Sequence, residues 1–298
     1  MAGKRPTPIA LLALLALLAA VAGSVAAEPV AIDFRLAAAG KPFDCAAEAR
    51  PLGRAATPVR LRDARLYLHG FALLKADGSA VPLRLADDDW QAHGVALIDF
   101  EDGSGGCTGG SAGVHTRVLG DAPAGDYTGL AFVVGVPLQA LDGQGRRVVL
   151  NHSNPELAPP PLDSQAMAWN WQAGRKFVKI EVLPEGGVRR AGDTVRVWTL
   201  HLGSTGCQGD VLAGSVACRQ PNLVTVRLDG FDPARQQVEL NLDALVADAD
   251  LGRDAGGSAG CMSAPDDPEC PALFAAFGLA PRPGAAAPVQ RVFRGVAR

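Results

Sequence analysis

Short apolar segments with a period of two recur along this chain, each closed by glycine, proline or aspartate, while stretches with a helical period are few. That pattern restricts the fold more than any single motif, because side chains alternate across a strand and an alternating segment has one face to bury. Val30, Ile32, Phe34 and Leu36 alternate with polar or small residues, as do Leu130, Phe132, Val134 and Val136. Residues 65–74 (RLYLHGFALL) are apolar on both faces, and simple alternation puts His69 with Tyr67 and Phe71. Asp77-Gly78 turns this segment into a return strand at residues 81–85. Further strands are expected at residues 95–100, 177–182, 195–202, 223–228 and 238–242. In residues 195–202, Thr199 and His201 fall on one face, Trp198, Leu200 and Leu202 on the other. The fold expected is all-β, an antiparallel sandwich or a barrel-like form, with disulfide-stapled loops. Helix is confined to the end: a short stretch in residues 243–251, and residues 271–279 with Leu273, Phe274 and Phe277 on one face and Gly278 as the cap.

The first residues belong to a different problem. Lys4 and Arg5 precede an apolar run that ends in Gly23 and the small residues Ser24 to Ala27. A charged start, an apolar middle and a small-residue end describe a secretory signal, so residues 1–27 are expected to be removed and residues 28–298 to form a single exported domain. No later segment is apolar enough to span a membrane. The formal net charge of −3 includes the two basic residues of that leader, which leaves the exported part more acidic. Such a charge disfavours nucleic acid, which needs clustered Lys and Arg. All six cysteines, Cys45, Cys107, Cys207, Cys218, Cys261 and Cys270, lie in the exported part, where an oxidising compartment favours disulfides. Six cysteines allow 15 connectivities. The short spacings favour Cys207 with Cys218 and Cys261 with Cys270, which leaves Cys45 with Cys107.

One segment, residues 150–180, interrupts the strand pattern. Asn151 and His152 follow an apolar strand end, Pro155, Pro159, Pro160 and Pro161 forbid helix interior and central strand, and Trp169 and Trp171 stand two apart before strand sequence resumes. It reads as a rigid loop. Hydrolase chemistry has little support here: Gly203-Ser204-Thr205-Gly206 is not a nucleophile elbow, every cysteine has an expected disulfide partner, and no His-Glu-x-x-His stands in the chain. The glycines of residues 103–113 lack the lysine and following helix of a phosphate loop. The chain is read as no enzyme. Of five histidines, His69, His152 and His201 sit in or beside strands, and three imidazoles from three β elements suit copper, zinc, iron or nickel if they converge. A lone strand histidine is more often a hydrogen-bonded packing residue, and the tryptophans more often core or rim. An exposed Trp169/Trp171 pair would instead suit a sugar, which makes a carbohydrate- or protein-binding module the rival reading.

Several ordered motifs carry a resemblance. Asn151-His152, Pro160-Pro161-Leu162, residues 167–174 (MAWNWQAG), Lys176-Phe177, residues 201–207 (HLGSTGC), Cys218, Pro221-Asn222, and Gly260-Cys261-Met262-Ser263 through Cys270 resemble the MbnP-like family. These are the four-Cys metallo-mystery pair proteins associated with methanobactin operons. The match runs through nearly the whole exported chain. The resemblance implies a periplasmic or secreted β-sheet protein that binds copper without turnover. It is similar to methanotroph surface proteins in which two histidines and a kynurenine, made from tryptophan, hold the metal. It also implies a di-haem MauG/MbnH-like peroxidase as the partner that performs the oxidation. Carried over, His69 and His152 match the ligand-bearing motifs best, and His201 matches a family motif as a further metal candidate. Trp169 or Trp171 is the expected modified residue, with Trp90 and Trp198 as alternatives. Where the family leads one to expect an aromatic before the lysine, this chain has Arg175.

Overall fold

The alternating segments close into two packed sheets. The computed structural model describes residues 26–298 except 143, 170–173, 212, 265 and 283, so most of the expected leader, and Trp171, lie outside the described residues. The strands that frame the fold are β1 (Ala27–Ala38), β2 (Thr57–Leu74), β3 (Val95–Asp99), β4 (Arg117–Pro123), β5 (Gly129–Val134), β6 (Val178–Pro184), β7 (Trp198–Leu202), β8 (Val224–Asp229), β9 (Gln236–Asn241) and β10 (Phe293–Ala297). The smaller sheet runs β10–β9–β1–β4 and ends on Arg84–Leu85. The larger contains β8, β5, β2, β6 and β7 and ends on Gly260–Cys261. Of the two forms left open by the sequence, the structure is the sandwich, with open sheet edges and no closed barrel. Among the described residues, strand pairing is antiparallel except for β1 with β9 and β7 with Gly260–Cys261, and an isolated bridge between Arg189 and Arg253 is also parallel.

The main core lies between the sheets and draws on both. Phe34 of β1 meets the ring edges of Phe71 and Phe132 from β2 and β5, and Phe71 and Phe132 stack at 5.5 Å. Each such ring, fully withdrawn from water, stabilises by about 1.5–3 kcal/mol. Helices α1 (Leu242–Val246) and α2 (Cys270–Ala276) bury Leu245, Val246, Leu273 and Phe274 against the same core. The Asn241 side chain caps α1 by accepting from the Ala244 N–H. The expected stretch at 243–251 is therefore helical only in its first part. Gly278, at φ +79°, takes the left-handed position just past α2. The three disulfides are Cys45–Cys107, Cys207–Cys218 and Cys261–Cys270. No helix among the described residues is long and apolar enough to cross a membrane.

Strand β2 is the spine of the larger sheet, and its two edges explain the rest. Arg65 pairs with Asp99 of β3 and also with Lys179 of β6, so β3 and β6 lie on opposite edges. His69 pairs with both Val95 of β3 and Val133 of β5, which puts β5 on the same edge as β6. The two lie end to end. Between them, the Tyr67 N–H donates to the Phe177 carbonyl at 2.9 Å and the Tyr67 carbonyl accepts from the Gly135 N–H at 2.8 Å. Residues 136–176 therefore leave and re-enter one sheet edge at a single residue. They form an excursion from a line that would otherwise be one continuous strand.

Alternation along β2 is broken at Gly70. Between Ala131 and Val133 of β5 the partner shifts from Ala72 to His69, one residue more than regular pairing needs, and Gly70 sits at φ +63°. This is a β-bulge with a left-handed glycine. The expectation that His69 shares a face with Phe71 is thereby corrected. Leu68 and Phe71 both join the main core, Tyr67 joins a second cluster on the opposite face, and His69 stays with Tyr67. That outer face is what the excursion covers: Leu150, Leu162 and Met167 pack on Tyr67, Val95, Leu97 and Phe177. The Tyr67 hydroxyl donates to the Pro161 carbonyl at 2.6 Å.

Candidate functional site

His69 is half-buried where β5 departs from the edge. Its Nδ1 lies 2.9 Å from the Gly135 carbonyl oxygen, and a carbonyl only accepts, so Nδ1 carries the proton and Nε2 keeps its lone pair. Burial pushes its pKa below the ordinary value. His152 is 8% exposed and lies on the excursion, and its Nδ1 is buried with no hydrogen-bond partner among the described residues. Burial, and then the Arg175 guanidinium, push His152 down as well. Two neutral imidazoles with lone pairs to offer are what a nitrogen-ligated metal requires.

A circuit of contacts ties these histidines to Trp169. The carbonyl of Gly135 holds His69, and a Cβ built on Gly135 would meet the Leu223 side chain. Next to Leu223, the Asn222 side chain donates to the Gly203 carbonyl at 2.8 Å. A Cβ on Gly203 would lie 2.2 Å from Cζ3 of Trp169, so the indole rests on bare backbone there. Trp169 pairs with Gly174, and a Cβ on Gly174 would come 3.5 Å from Nε2 of His152. The Asn151 N–H returns to the Pro137 carbonyl at 3.2 Å, two residues from Gly135, and closes the circuit. A ring nitrogen of His152 also lies within 4.8 Å of the Cys207 and Cys218 sulfurs, but these are joined as a disulfide and offer no thiolate.

The excursion is held in place by two cations that sequence reasoning did not rank. Arg175, 1% exposed, donates from its guanidinium to the carbonyls of Leu162, Asn151 and Ser153 and to the Ser153 hydroxyl, and its own N–H goes to the Asn151 side chain. Lys176 donates to the carbonyls of Ala166 and Ala168, on either side of Met167 and next to Trp169. The departure from the expected aromatic at position 175 thus puts a buried guanidinium at the root of the loop. The only signal in the sequence was the departure itself.

His201 has a different setting. It lies on the outer face of β7, its Nε2 donating to Glu181 Oε1 at 2.9 Å while Nδ1 is buried without a partner among the described residues. Burial lowers its pKa against the pull of Glu181, so the ring is neutral at neutral pH. In register it is level with Arg65, two strands over and four residues along from His69. At about 4.8 Å per strand and 3.3 Å per residue, the Cα atoms of His69 and His201 are roughly 16 Å apart. Two imidazoles do not reach one ion over that span. Trp198 is fully buried in the main core, and Trp90 stacks on His115 at 4.9 Å. Trp169 is 2% exposed, which leaves no face for a sugar.

The fold and this site describe a class: a β-sandwich whose outer face carries an excursion bearing a buried imidazole and a buried indole, with a half-buried histidine at its root. The MbnP family model matches residues 27–263, and the chain belongs to the MbnP family. It is similar to the solved structure of MbnP from Methylosinus trichosporium, at 45% sequence identity and a TM-score of 0.84, over 92% of this chain and 99% of that one. A search of curated proteins finds no match.

Proposed function

We propose that this chain is a copper-binding protein of the periplasm, without turnover, in the methanobactin-associated setting of its family. His69 and His152 are its protein nitrogen ligands. The observations that support this best are a fixed His69 tautomer and an orphaned buried His152 nitrogen, each linked to the Trp169 ring through the chain of contacts above. Copper stands highest in the divalent affinity order for nitrogen sites of this kind. An indole N–H only donates, so Trp169 as it stands is no ligand. Oxidative opening to kynurenine would supply an aniline nitrogen and a ketone, and a di-haem peroxidase is the class of partner that performs it. Trp171 shares the segment and is the second candidate for modification. His201, bonded to Glu181, serves the face beneath the excursion rather than this pair.

The test is to produce the exported chain with and without the di-haem partner, measure bound metals, and map tryptophan oxidation by peptide mass spectrometry. Copper together with kynurenine at Trp169 or Trp171 in the paired sample is the expected result; no copper and four intact tryptophans would sink the proposal. Substituting His69 or His152 by Ala should each weaken copper binding at least tenfold, whereas His201→Ala should leave it within a few-fold. Unchanged affinity in both of the first two moves the site elsewhere.

A further inference from the structure

Beneath the proline run, but away from His69, His152 and Trp169, the outer face holds a cleft of about 770 Å³. It lies between residues 109–111, the strands β2 and β6, and residues 160–166. Its volume is that of a small-molecule pocket. We infer that this cleft binds an organic cation, an ammonium or guanidinium group, which donates to the Asp63 carboxylate.

The floor is an ion network on the outer face of β2. Arg65 reaches Asp63, Asp99 and Glu101 at once, and the Lys179 ammonium reaches Asp63 and lies near Glu181. Both oxygens of Asp99, of Glu101 and of Glu181 accept hydrogen bonds. Asp63 is the exception. It is 4% exposed, its Oδ2 accepts from Arg65 and Lys179, and its Oδ1 is buried with no partner among the described residues. Leaving a buried acceptor unmade costs about 1–3 kcal/mol, more on a charged group, so what the site lacks is a donor.

The class of ligand follows from what surrounds that oxygen. A hard metal ion needs six or more oxygen ligands or an octahedral shell, and on this floor one buried oxygen is free while the other buried carboxylate oxygens are engaged by arginine, lysine, histidine, serine and backbone donors. A donor that needs a single strong acceptor is suited instead. The charge around the cleft favours a cation, because five carboxylates line it against three basic side chains. Asp89 and Asp163 at its rim are exposed and make no ion pair among the described residues. Trp90 supplies an aromatic wall, where a cation gains from the face of an indole.

Isothermal titration of the metal-free exported chain with agmatine at low salt tests this, with 1,4-butanediol as the uncharged control. Saturable one-to-one binding of agmatine alone is expected, with a change in tryptophan fluorescence. Asp63→Asn should weaken it by at least roughly tenfold, the worth of one hydrogen bond to a charged group. The double rim variant Asp89→Asn/Asp163→Asn should weaken it several-fold without moving the unfolding midpoint. No saturable binding to the wild-type chain overturns the inference, as does wild-type affinity in a folded Asp63→Asn protein. If Asp63→Asn does not fold, wild-type affinity in the rim variant overturns it. The experiment contains no copper, so its failure leaves the metal reading untouched.

Discussion

At the scale of single residues, the candidate site depends on side chains that are absent as much as on those that are present. Trp169 occupies the space a Cβ on Gly203 would take, with a carbonyl of Arg175 also 2.8 Å away. Gly203→Ala is expected to push the indole off its seat and lower stability by about 1–3 kcal/mol, an overpacking cost. Chemical denaturation together with a red-shifted tryptophan emission would register it; a wild-type spectrum would show that the ring is placed otherwise. Arg175 is the converse case, a residue whose presence the loop requires. Arg175→Met keeps the length but removes the donors from two buried carbonyls and a part-buried one. The expected loss is on the order of 3 kcal/mol, concentrated in the excursion, because buried acceptors without donors keep their desolvation cost. Hydrogen exchange should then rise in residues 150–169 before it rises in β5 and β6. His152 was legible as a candidate from its place beside a strand end, but its orphaned Nδ1 and its neighbour Gly174 were not. Both depend on backbone brought in from elsewhere in the chain.

At the scale of elements, β2 and the excursion divide the work. The core-facing residues Leu61, Ala64, Leu66, Leu68, Phe71 and Leu73 are separated by three positions at two places, where the pairing with β6 and with β5 shifts register. Each shift leaves two successive residues off the core face. The second returns Phe71 to the core and so parts it from His69, which stays on the outer face beside Tyr67. No propensity marks such a shift, and an apolar run such as residues 65–74 hides its own period. Since residues 136–176 begin and end at Tyr67, replacing residues 137–175 with a short polar turn should leave a sandwich with cooperative unfolding and all three disulfides, while copper binding is lost. A chain that fails to form its disulfides after this replacement would mean that the excursion is part of the folding core.

At the scale of the whole molecule, the smaller sheet carries its own electrostatic tie. Glu239 of β9 is buried between Arg35 of β1 and Arg294 of β10. Burial works to raise its pKa, but the two guanidinium groups outweigh it and hold the carboxyl below its ordinary 4.5. A carboxylate with a depressed folded-state pKa contributes stability that is present above the unfolded value and is lost as pH falls through the folded one. Stability should therefore decline as pH drops below about 4.5, and Glu239→Gln should flatten that decline while lowering stability at neutral pH by roughly 1–3 kcal/mol. Denaturation midpoints at pH 7 and pH 3.5 would check it; equal slopes in both proteins would assign the acid sensitivity elsewhere. Cys45–Cys107 joins segments 62 residues apart, and its partners were readable only by elimination after the two short spacings.

The sequence by itself determined the all-β class, the cysteine pairing and the run of motifs that marks the family, because period, spacing and residue order are local properties that survive without coordinates. The tertiary structure alone decided which side chains meet. Gly135, Gly203 and Arg175 matter through contacts with residues far away in sequence, as in the Gly135 carbonyl that orients His69, 66 positions away. The face on which Phe71 stands, opposite His69, turned on one extra residue at Gly70, and the distance from His69 to His201 turned on strand register. Register is set by how two distant strands pack as a whole, and a shift of one residue moves a side chain to the other face of the sheet.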